Sequence, residues 1–420
     1  MEIYMKTKLS LAVAAALLAG ASSANAGIMI PAGDWTLDIG GIVNTYYTHT
    51  NFDSIEHAAG YGGLLFTQSD VANGDNSTAN ITTGLLPNYL SVSGKTRQND
   101  LDVGFTISIN PGSSTRSAGA QSFQGVGSAA FQENRQAFLT FGDKSWGSIK
   151  LGKDLGIFAS DAILNDMTLL GVGSGAGGLA GNTTTTGRIG TGFMYADWKS
   201  QVAYSSPNWN GFSFTAGVTQ AWNAIAVGNA GLASAGSSGR GGSSPAFEGK
   251  ASYEWAGDVG GKVWVSGMTQ KVENFGPGIG DDRASAWDIG ATVNLAGFGL
   301  TGYYYDGAGI GQTVQLNHGF DALGNDRDSD GYYVQGTYTL PGVGTKLGIS
   351  WGKSTLDGNG VDTFSDLEDS MWTVGAYHPI TKHLNLVAEY SVVKSELDVK
   401  AASTLENKAK TISLGAIMFF

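Results

Sequence analysis

The chain contains no cysteine, so no disulfide can stabilise it. Only 8 of its 420 residues are proline, and its 64 glycines follow no G-x-y repeat, which excludes a collagen-like fibre. Charged residues make up 14% of the chain, below the usual value of about a quarter. Aromatic residues make up 10%, so the composition is not that of a disordered chain. The net charge of -12 argues against a nucleic-acid partner.

The N-terminal residues have the composition of a secretory signal peptide. A basic start that includes Lys6 and Lys8 precedes an apolar run over residues 9–20 and a small-residue cleavage site, Ala24-Asn25-Ala26. The alternative is a membrane-anchoring helix, but a helix needs about 20 apolar residues to span a bilayer. We predict that residues 1–26 are cleaved and that the mature domain comprises residues 27–420. Beyond residue 26 no window approaches about 18 continuous apolar residues, so no transmembrane helix is predicted.

Apolar and polar residues alternate with a period of two along most of the mature chain. For example, Leu101, Val103 and Phe105 alternate with Asp102 and Gly104. This period is typical of β-strands with one apolar and one polar face. We predict sixteen such strands, near residues 35–48, 88–97, 101–109, 134–142, 147–153, 188–205, 211–221, 246–256, 260–271, 285–295, 298–306, 330–340, 344–354, 370–378, 382–394 and 409–420.

The connections between these strands alternate between short periplasmic turns and long outside loops, and residues 307–329 are predicted to be one of these outside loops. This asymmetry predicts an all-β fold, a transmembrane antiparallel up-and-down β-barrel of 16 strands with both termini on the periplasmic side. A barrel of this size leaves a water-filled lumen. The alternative is a soluble secreted β-sandwich or β-helix. Aromatic residues near the strand ends favour the membrane, because interfacial girdles have this composition. They are Trp35, Tyr47, Tyr204, Trp255, Trp287, Tyr338, Trp372 and Tyr390.

The last predicted strand ends in an aromatic residue. Ile412, Leu414, Ala416 and Met418 share one face with Phe420, at which the sequence stops. This pattern resembles the signal that the outer-membrane barrel assembly machinery reads. We therefore predict that this machinery is a partner and that Phe420 is part of the assembly signal.

Three segments in the middle of the chain resemble the Gram-negative general diffusion porins. Residues 133–139 and 146–153 resemble the fourth and fifth strands of that family, and Asn165-Asp166-Met167 resembles its third loop. The resemblance implies a homotrimer of sixteen-stranded barrels in the cell outer membrane. It also implies that the third loop, here from Asp154 to about Gly187, folds inward and narrows the pore. The implied function is passive diffusion of small hydrophilic solutes and ions.

The resemblance also implies a pore constriction in which acidic loop residues face basic wall residues. The predicted constriction residues are Asp154, Asp161, Asp166, Arg135, Lys150, Lys153, Arg188 and Lys199. Strict alternation instead points Arg135 towards lipid, which at the bilayer midplane would cost about 2–4 kcal/mol; we follow the resemblance and place it at the constriction.

Alternation also places charged side chains in the lumen along other strands. They include Lys95, Arg97, Lys250, Lys262, Lys346, Asp102, Glu248, Glu254, Asp288 and Glu389. The acidic stretch that the family has after Asp-Met is replaced here by residues 168–171, and residues 171–192 form a Gly/Thr-rich insert. Pore radius and transported solute stay open, and we expect a mild cation preference from the acidic excess.

Two alternatives to a general porin remain at this point. One is a substrate-selective channel with a lumen site built from the inward residues Tyr46, Trp264, Tyr303, Tyr305 and Tyr333. The other is a surface adhesin or structural outer-membrane protein that uses the loops near residues 49–87 and 222–245. We do not expect an enzyme, because its few histidines form no recognisable catalytic pattern.

No cofactor is expected. Residues 326–331 begin like a calcium loop, with Asp326, Asp328 and Asp330, but position twelve is Thr337 instead of Glu. A weak surface Ca2+ site and a plain acidic loop are both open. The expected surroundings are outer-membrane lipid and lipopolysaccharide.

Overall fold

A computed structural model describes residues 27–56, 76–113, 134–178, 184–222, 243–275, 278–321 and 323–420. The predicted signal peptide, residues 1–26, lies outside the described residues, and its cleavage stays a prediction. None of the helices in the described ranges is long and apolar enough to cross a membrane.

Most of the described residues are in β-strands. The strands are β1 (Ile28–Ala32), β2 (Trp35–Ile55), β3 (Ser77–Thr82), β4 (Tyr89–Gln98), β5 (Leu101–Ile109), β6 (Ala137–Asp143), β7 (Gly147–Leu155), β8 (Ser174–Gly178), β9 (Thr185–Gly187), β10 (Trp198–Ser205), β11 (Phe212–Thr219), β12 (Ala246–Trp255), β13 (Val259–Val272), β14 (Asp282–Leu295), β15 (Phe298–Ala308), β16 (Asp328–Thr339), β17 (Lys346–Asp357), β18 (Phe364–Pro379), β19 (Leu384–Val399) and β20 (Thr404–Phe419). Helix α1 (Ser160–Asn165) and a 3-10 turn (Met167–Leu170) lie between β7 and β8.

The strands close into one antiparallel barrel. Neighbouring wall strands pair in chain order, and β2 closes the barrel by pairing with β20, from Ile42 opposite Phe419 to Ile55 opposite Asn407. Both β3 and β4 pair with β2, so they are two halves of one wall strand. Since β1 is an additional N-terminal strand and β8 pairs with β9 in a separate sheet, the wall has sixteen strands in the described part of the chain. The predicted barrel and its strand number are confirmed.

The strand ends differ from the prediction at several places, and the first wall strand, β2, runs to Ile55 instead of ending at residue 48. The sixth wall strand was predicted to begin at residue 188, but β10 begins at Trp198. Residues 188–196 are all buried inside the barrel, so exposed and buried residues do not alternate there as they do in a wall strand. At the other end of the chain, β18, β19 and β20 each run for 16 residues and extend beyond the predicted bounds.

Alternation along each strand separates an outward from an inward face. In β13, Val263 and Val265 are 42% and 46% exposed, whereas Trp264 and Ser266 are 2% and 5% exposed. Outward aromatic residues pair across neighbouring strands, and Phe298 pairs with Tyr338 beside the short turn at residues 296–297, with ring centroids 4.3 Å apart. The ring centroids of Trp372 and Tyr390 are 5.4 Å apart. An apolar outer band with aromatic pairs at its edge is typical of a barrel in lipid.

The last residue packs against a glycine where the barrel closes. The Gly41 amide donates to the Phe420 carbonyl at 2.8 Å, and the Phe420 amide donates back at 3.0 Å. A Cβ atom at Gly41 would lie 2.4 Å from the carbonyl oxygen of Tyr89 and 2.7 Å from the Phe420 ring. Only glycine fits between these two groups.

Candidate functional site

The described residues of the third loop, 156–178 and 184–197, which we call L3, run inside the barrel between β7 and β10. Its beginning is held by a carboxylate of the wall, because Glu248 on β12 accepts hydrogen bonds from the amides of Ile157 and Phe158 at 2.7 and 2.9 Å. A second wall carboxylate, Glu389 on β19, accepts from the amides of Val172 and Gly173 at 2.8 Å each. These acids lie on different sides of the barrel, so L3 is tied across the lumen.

Neutral wall side chains hold the part of L3 between these two anchors. Tyr333 donates through its hydroxyl to the carbonyl of Ala162 at 2.9 Å. Gln335 donates to the carbonyl of Asn165 at 3.0 Å and accepts from the amide of Met167 at 2.7 Å. Helix α1 and the turn after it are therefore fixed from both sides of residue 166.

Asp161 of α1 is the L3 carboxylate that faces basic wall residues. Its two oxygens lie 3.0 Å from Nζ of Lys250 on β12 and 2.6 Å from Nζ of Lys262 on β13. Burial alone would raise the pKa of Asp161, but the two ammonium groups outweigh burial and lower the pKa below its usual value. The lysine side chains are 27% and 23% exposed, so this cluster contacts the water-filled side of L3.

Asp166 and Arg188 form a second, fully buried pair within L3. Arg188 Nε lies 3.8 Å from Oδ1 of Asp166, and both side chains are 0% exposed. Asp166 also accepts from the amide of Thr168 at 3.1 Å, and Arg188 donates to the carbonyl of Met371 at 3.0 Å. These contacts fold the loop and attach it to the wall, away from the open part of the lumen.

Lys150 and Lys199 both face the lumen and pair locally. Lys150 contacts Asp154 on its own strand. Lys199 lies 2.5 Å from Glu248, the acid that anchors L3, and both side chains are 0% exposed. Of the predicted bases, these two lie inside the barrel as alternation requires.

Arg135 and Lys153 do not join the cluster around Asp161. The Arg135 side chain is buried, and its guanidinium carbon lies 5.7 Å from the centre of the Trp198 ring, beside a cavity of about 40 Å³ behind L3. Lys153 shares the outward face of β7 with Leu151, in a continuous register with β6 and β10. The bases opposite Asp161 are instead Lys250 and Lys262.

Lys95 and Arg97 lie at the turn end of the barrel. Arg97 binds Asp102 and Asp143 at 2.9 Å each, and its side chain is 48% exposed. These residues line the entrance below L3 and are separate from its anchors.

The calcium candidate does not form a compact site. Asp328 and Asp330 point outward from β16, and Asp326 lies in the loop before it. Within the described ranges no group of three His, Cys, Asp or Glu side chains is arranged to hold a metal ion.

The inward tyrosines that could have formed a solute site are instead bound to the inward loops or, in the case of Tyr303, to a wall carboxylate. Tyr46 donates to the carbonyl of Leu170 at 2.7 Å, and Tyr303 donates to Asp288 at 3.0 Å. Tyr46, Tyr303, Tyr305, Tyr333 and Trp264 are each 4% exposed or less. The sequence placed them inward, but it carried no sign that loops would cover them.

A closed sixteen-stranded barrel with an inward loop that sets acids against bases defines a transmembrane channel. A family model described as Gram-negative porin matches residues 11–397, and the chain belongs to this family. It is therefore a channel of the outer membrane for the diffusion of small solutes. Among curated proteins, none matches this chain.

Solved structures share the fold at low sequence identity. An anion-selective porin from Comamonas acidovorans is 15% identical, with a TM-score of 0.59 over 92% of this chain and 100% of that one. The outer membrane channel DcaP of Acinetobacter baumannii is 14% identical, with a TM-score of 0.61 over 94% and 100%. OmpT of Vibrio cholerae, in a trimer form, is 13% identical, with a TM-score of 0.51 over 92% and 99%.

Proposed function

We propose that this chain is a passive porin for small hydrophilic solutes and ions, with Asp161, Lys250 and Lys262 as its charged constriction. The observation that carries the proposal is the position of Asp161 on the inward loop, within 3.0 Å of both lysines. Opposed charges in a channel with low-dielectric walls create a field across the pore. Such a field favours polar solutes over apolar ones. The transport step requires neither catalysis nor a bound cofactor.

The test is single-channel recording on the purified, refolded protein in a planar bilayer, with a KCl gradient. Discrete conductance steps with a finite reversal potential support the charged pore. Folded, heat-modifiable protein that gives no conductance would contradict the open channel.

The assembly is a homotrimer. The trimer form of the V. cholerae neighbour supports this. Conductance steps in groups of three and a trimeric mass in detergent are the expected results. A monomer that conducts in single, independent steps would contradict the trimer.

Lipopolysaccharide is the lipid partner. Above Tyr390 on the outward face, Lys394 pairs with Glu396 and Glu406 at 2.7 and 2.9 Å, and Lys410 pairs with Asp53 at 2.7 Å. Lysines just beyond an aromatic girdle are placed to meet lipid phosphates. If this is correct, added lipopolysaccharide stabilises the wild type against heat more than it stabilises Lys394→Gln/Lys410→Gln.

The barrel assembly machinery recognises β20 and its terminal aromatic residue. Phe420 completes the seam with Gly41, so recognition and closure use the same end of the chain. Removal of Phe420 is expected to reduce the rate of machinery-assisted insertion into vesicles more than the rate of spontaneous refolding in detergent.

A further inference from the structure

A second loop lies inside the barrel, opposite to the expectation that residues 307–329 form an outside loop. We call the described residues between β15 and β16, 309–321 and 323–327, L6. Its apolar residues Ile310, Leu316 and Phe320 are 0% exposed, and its amides Gln312 and Gln315 are 1% and 2% exposed. A loop in water would expose these side chains. L6 is therefore packed against other parts of the protein along its whole inner segment.

The first partner of L6 is the last part of L3. The amide of Tyr195 donates to the carbonyl of Thr313 at 2.9 Å, and Tyr195 and Val314 form a parallel β-bridge. The side-chain amide of Gln315 donates to the carbonyls of Tyr195 and Ala196 at 3.3 and 3.4 Å. The two inward loops are thus joined by backbone and side-chain hydrogen bonds.

The second partner is the ion pair that anchors L3. Lys199 Nζ lies 2.6 Å from the amide oxygen of Gln315 and 2.5 Å from Glu248. Glu248 in turn accepts from the amides at the start of L3. Gln315 therefore contacts the end of L3 directly. It is joined to the start of L3 through Lys199 and Glu248.

The third partner is the barrel wall on the far side of L6. Gln312 donates to the carbonyls of Ser354 and Leu367 at 2.8 and 3.0 Å. Arg327, which is 1% exposed, closes the loop by donating to the carbonyl of Phe320 at 2.9 Å and binds Asp362 at 2.7 Å. Strands β17 and β18 therefore hold L6 in place in addition to its contacts with L3.

We propose that L6 is a second constriction loop and that L3 and L6, clasped through Gln315, jointly set the size limit of the pore. This proposal rests on the channel function proposed above. A sixteen-stranded barrel encloses an aqueous channel, and each loop that packs into it removes cross-section. The inner segment of L6, residues 310–317, carries no charged side chain. L6 therefore limits solute size, whereas the cluster around Asp161 acts on solute charge.

The test is a full-length variant in which residues 312–317 are replaced by two glycines, refolded and compared with the wild type. Single-channel conductance is expected to rise about twofold or more, because the free cross-section at the narrowest point grows. Neutral sugars too large for the wild type should enter vesicles that carry the variant. The reversal potential should stay unchanged, since no charge is removed.

A second variant decides the question if the shortened loop prevents folding. Gln315→Leu removes the side-chain hydrogen bonds to Tyr195, Ala196 and Lys199 at similar volume, and we expect a higher, noisier conductance. Adding Tyr195→Cys/Val314→Cys to the Gln315→Leu variant creates the chain's only disulfide. The two positions are paired in the β-bridge, which suits the Cα separation of about 4.4–6.8 Å that a disulfide needs. Oxidation should lower the conductance again, and reduction should restore the increase. Gln98→Leu, at the exposed end of β4, is the matched control.

The outcomes separate this proposal from the one on which it rests. A wild type without conductance would contradict the open channel itself. A conducting wild type whose folded L6 variants show the same conductance and the same sugar limit would overturn L6 as a constriction. A change in the reversal potential without a change in conductance would overturn it as well, because L6 would then act on charge.

Discussion

Lys199 Nζ lies 2.5 Å from a carboxylate oxygen of Glu248, and neither side chain is exposed to solvent. The pair sits where L3, L6 and the barrel wall meet. Thr219 also donates to Glu248, at 2.8 Å, and the Lys199 ammonium lies 5.8 Å from the centre of the Trp222 ring. A buried ion pair with these partners holds two loops at once.

Lys199→Met should therefore destabilise the barrel strongly. It leaves Glu248 buried without its counter-charge, and breaking a buried pair in this way costs about 3–5 kcal/mol. The double variant Lys199→Met/Glu248→Gln should recover a large part of the loss, because the amide oxygen still accepts from Ile157 and Phe158. The measurement is urea unfolding of the refolded protein. Equal stability of the single and double variants would show that the ion pair is not the source of the effect.

The two lysines opposite Asp161 should control ion preference. Lys250→Gln/Lys262→Gln is expected to raise the cation-to-anion permeability ratio about two- to fivefold, which corresponds to about 0.4–1 kcal/mol of lost electrostatic interaction. The reversal potential in a KCl gradient measures this ratio. Lys153→Gln is the matched control, since Lys153 lies on the outward face of β7. An equal shift in the control would place the selective charge elsewhere.

The sequence predicted the barrel well because its signal is periodic and local. In β13, for example, Val263 and Val265 are exposed and Trp264 between them is buried, as a period of two predicts. It also placed Lys250 and Lys262 in the lumen. Their pairing with Asp161 depends on how L3 crosses the barrel, and no local pattern specifies that path.

L6 was missed for a different physical reason. Its backbone includes Gly309, Gly311, Leu316 and His318 at positive φ, so no strand or helix period appears. Its burial comes from contacts with L3 and with distant strands. The available signal was the apolar content of a segment assigned to water, at Ile310, Val314, Leu316 and Phe320. Apolar residues in such a loop indicate that it packs against something.

Closure of the barrel should depend on the small size of Gly41. A Cβ atom there would lie 2.4 Å from the Tyr89 carbonyl oxygen, which is backbone and cannot turn aside. Gly41→Val should therefore abolish the heat-modifiable folded form on a denaturing gel. Gly302→Ala on β15 is the control, because no atom lies within 4 Å of the added Cβ. Folding of Gly41→Val at the wild-type yield would mean that the seam with Phe420 can open without loss of the barrel.

His318 should make the docking of L6 sensitive to acid. Burial, together with the nearby Arg327 guanidinium, lowers the pKa of His318 to about 3. When L6 is released, His318 regains an ordinary pKa of about 6.5 and takes up a proton more readily. The released state therefore binds more protons between about pH 6.5 and pH 3, so docking is fully stable above this window and weakens as pH falls through it.

The loss should approach about 1.4 kcal/mol per pH unit well inside that window. The pKa of the nearby Asp321 carboxylate is lowered, because hydrogen bonds from Asn325 and Asn359 outweigh the effect of burial. Asp321 therefore adds to the acid sensitivity near the lower end of the window. His318→Gln separates the two contributions, because it removes the imidazole and keeps the carboxylate. Proteolysis of L6 should accelerate between pH 6.5 and pH 5 in the wild type and much less in His318→Gln, with an acid-tolerant protease as the probe. Identical pH profiles for the two proteins would show that His318 does not report on L6 docking.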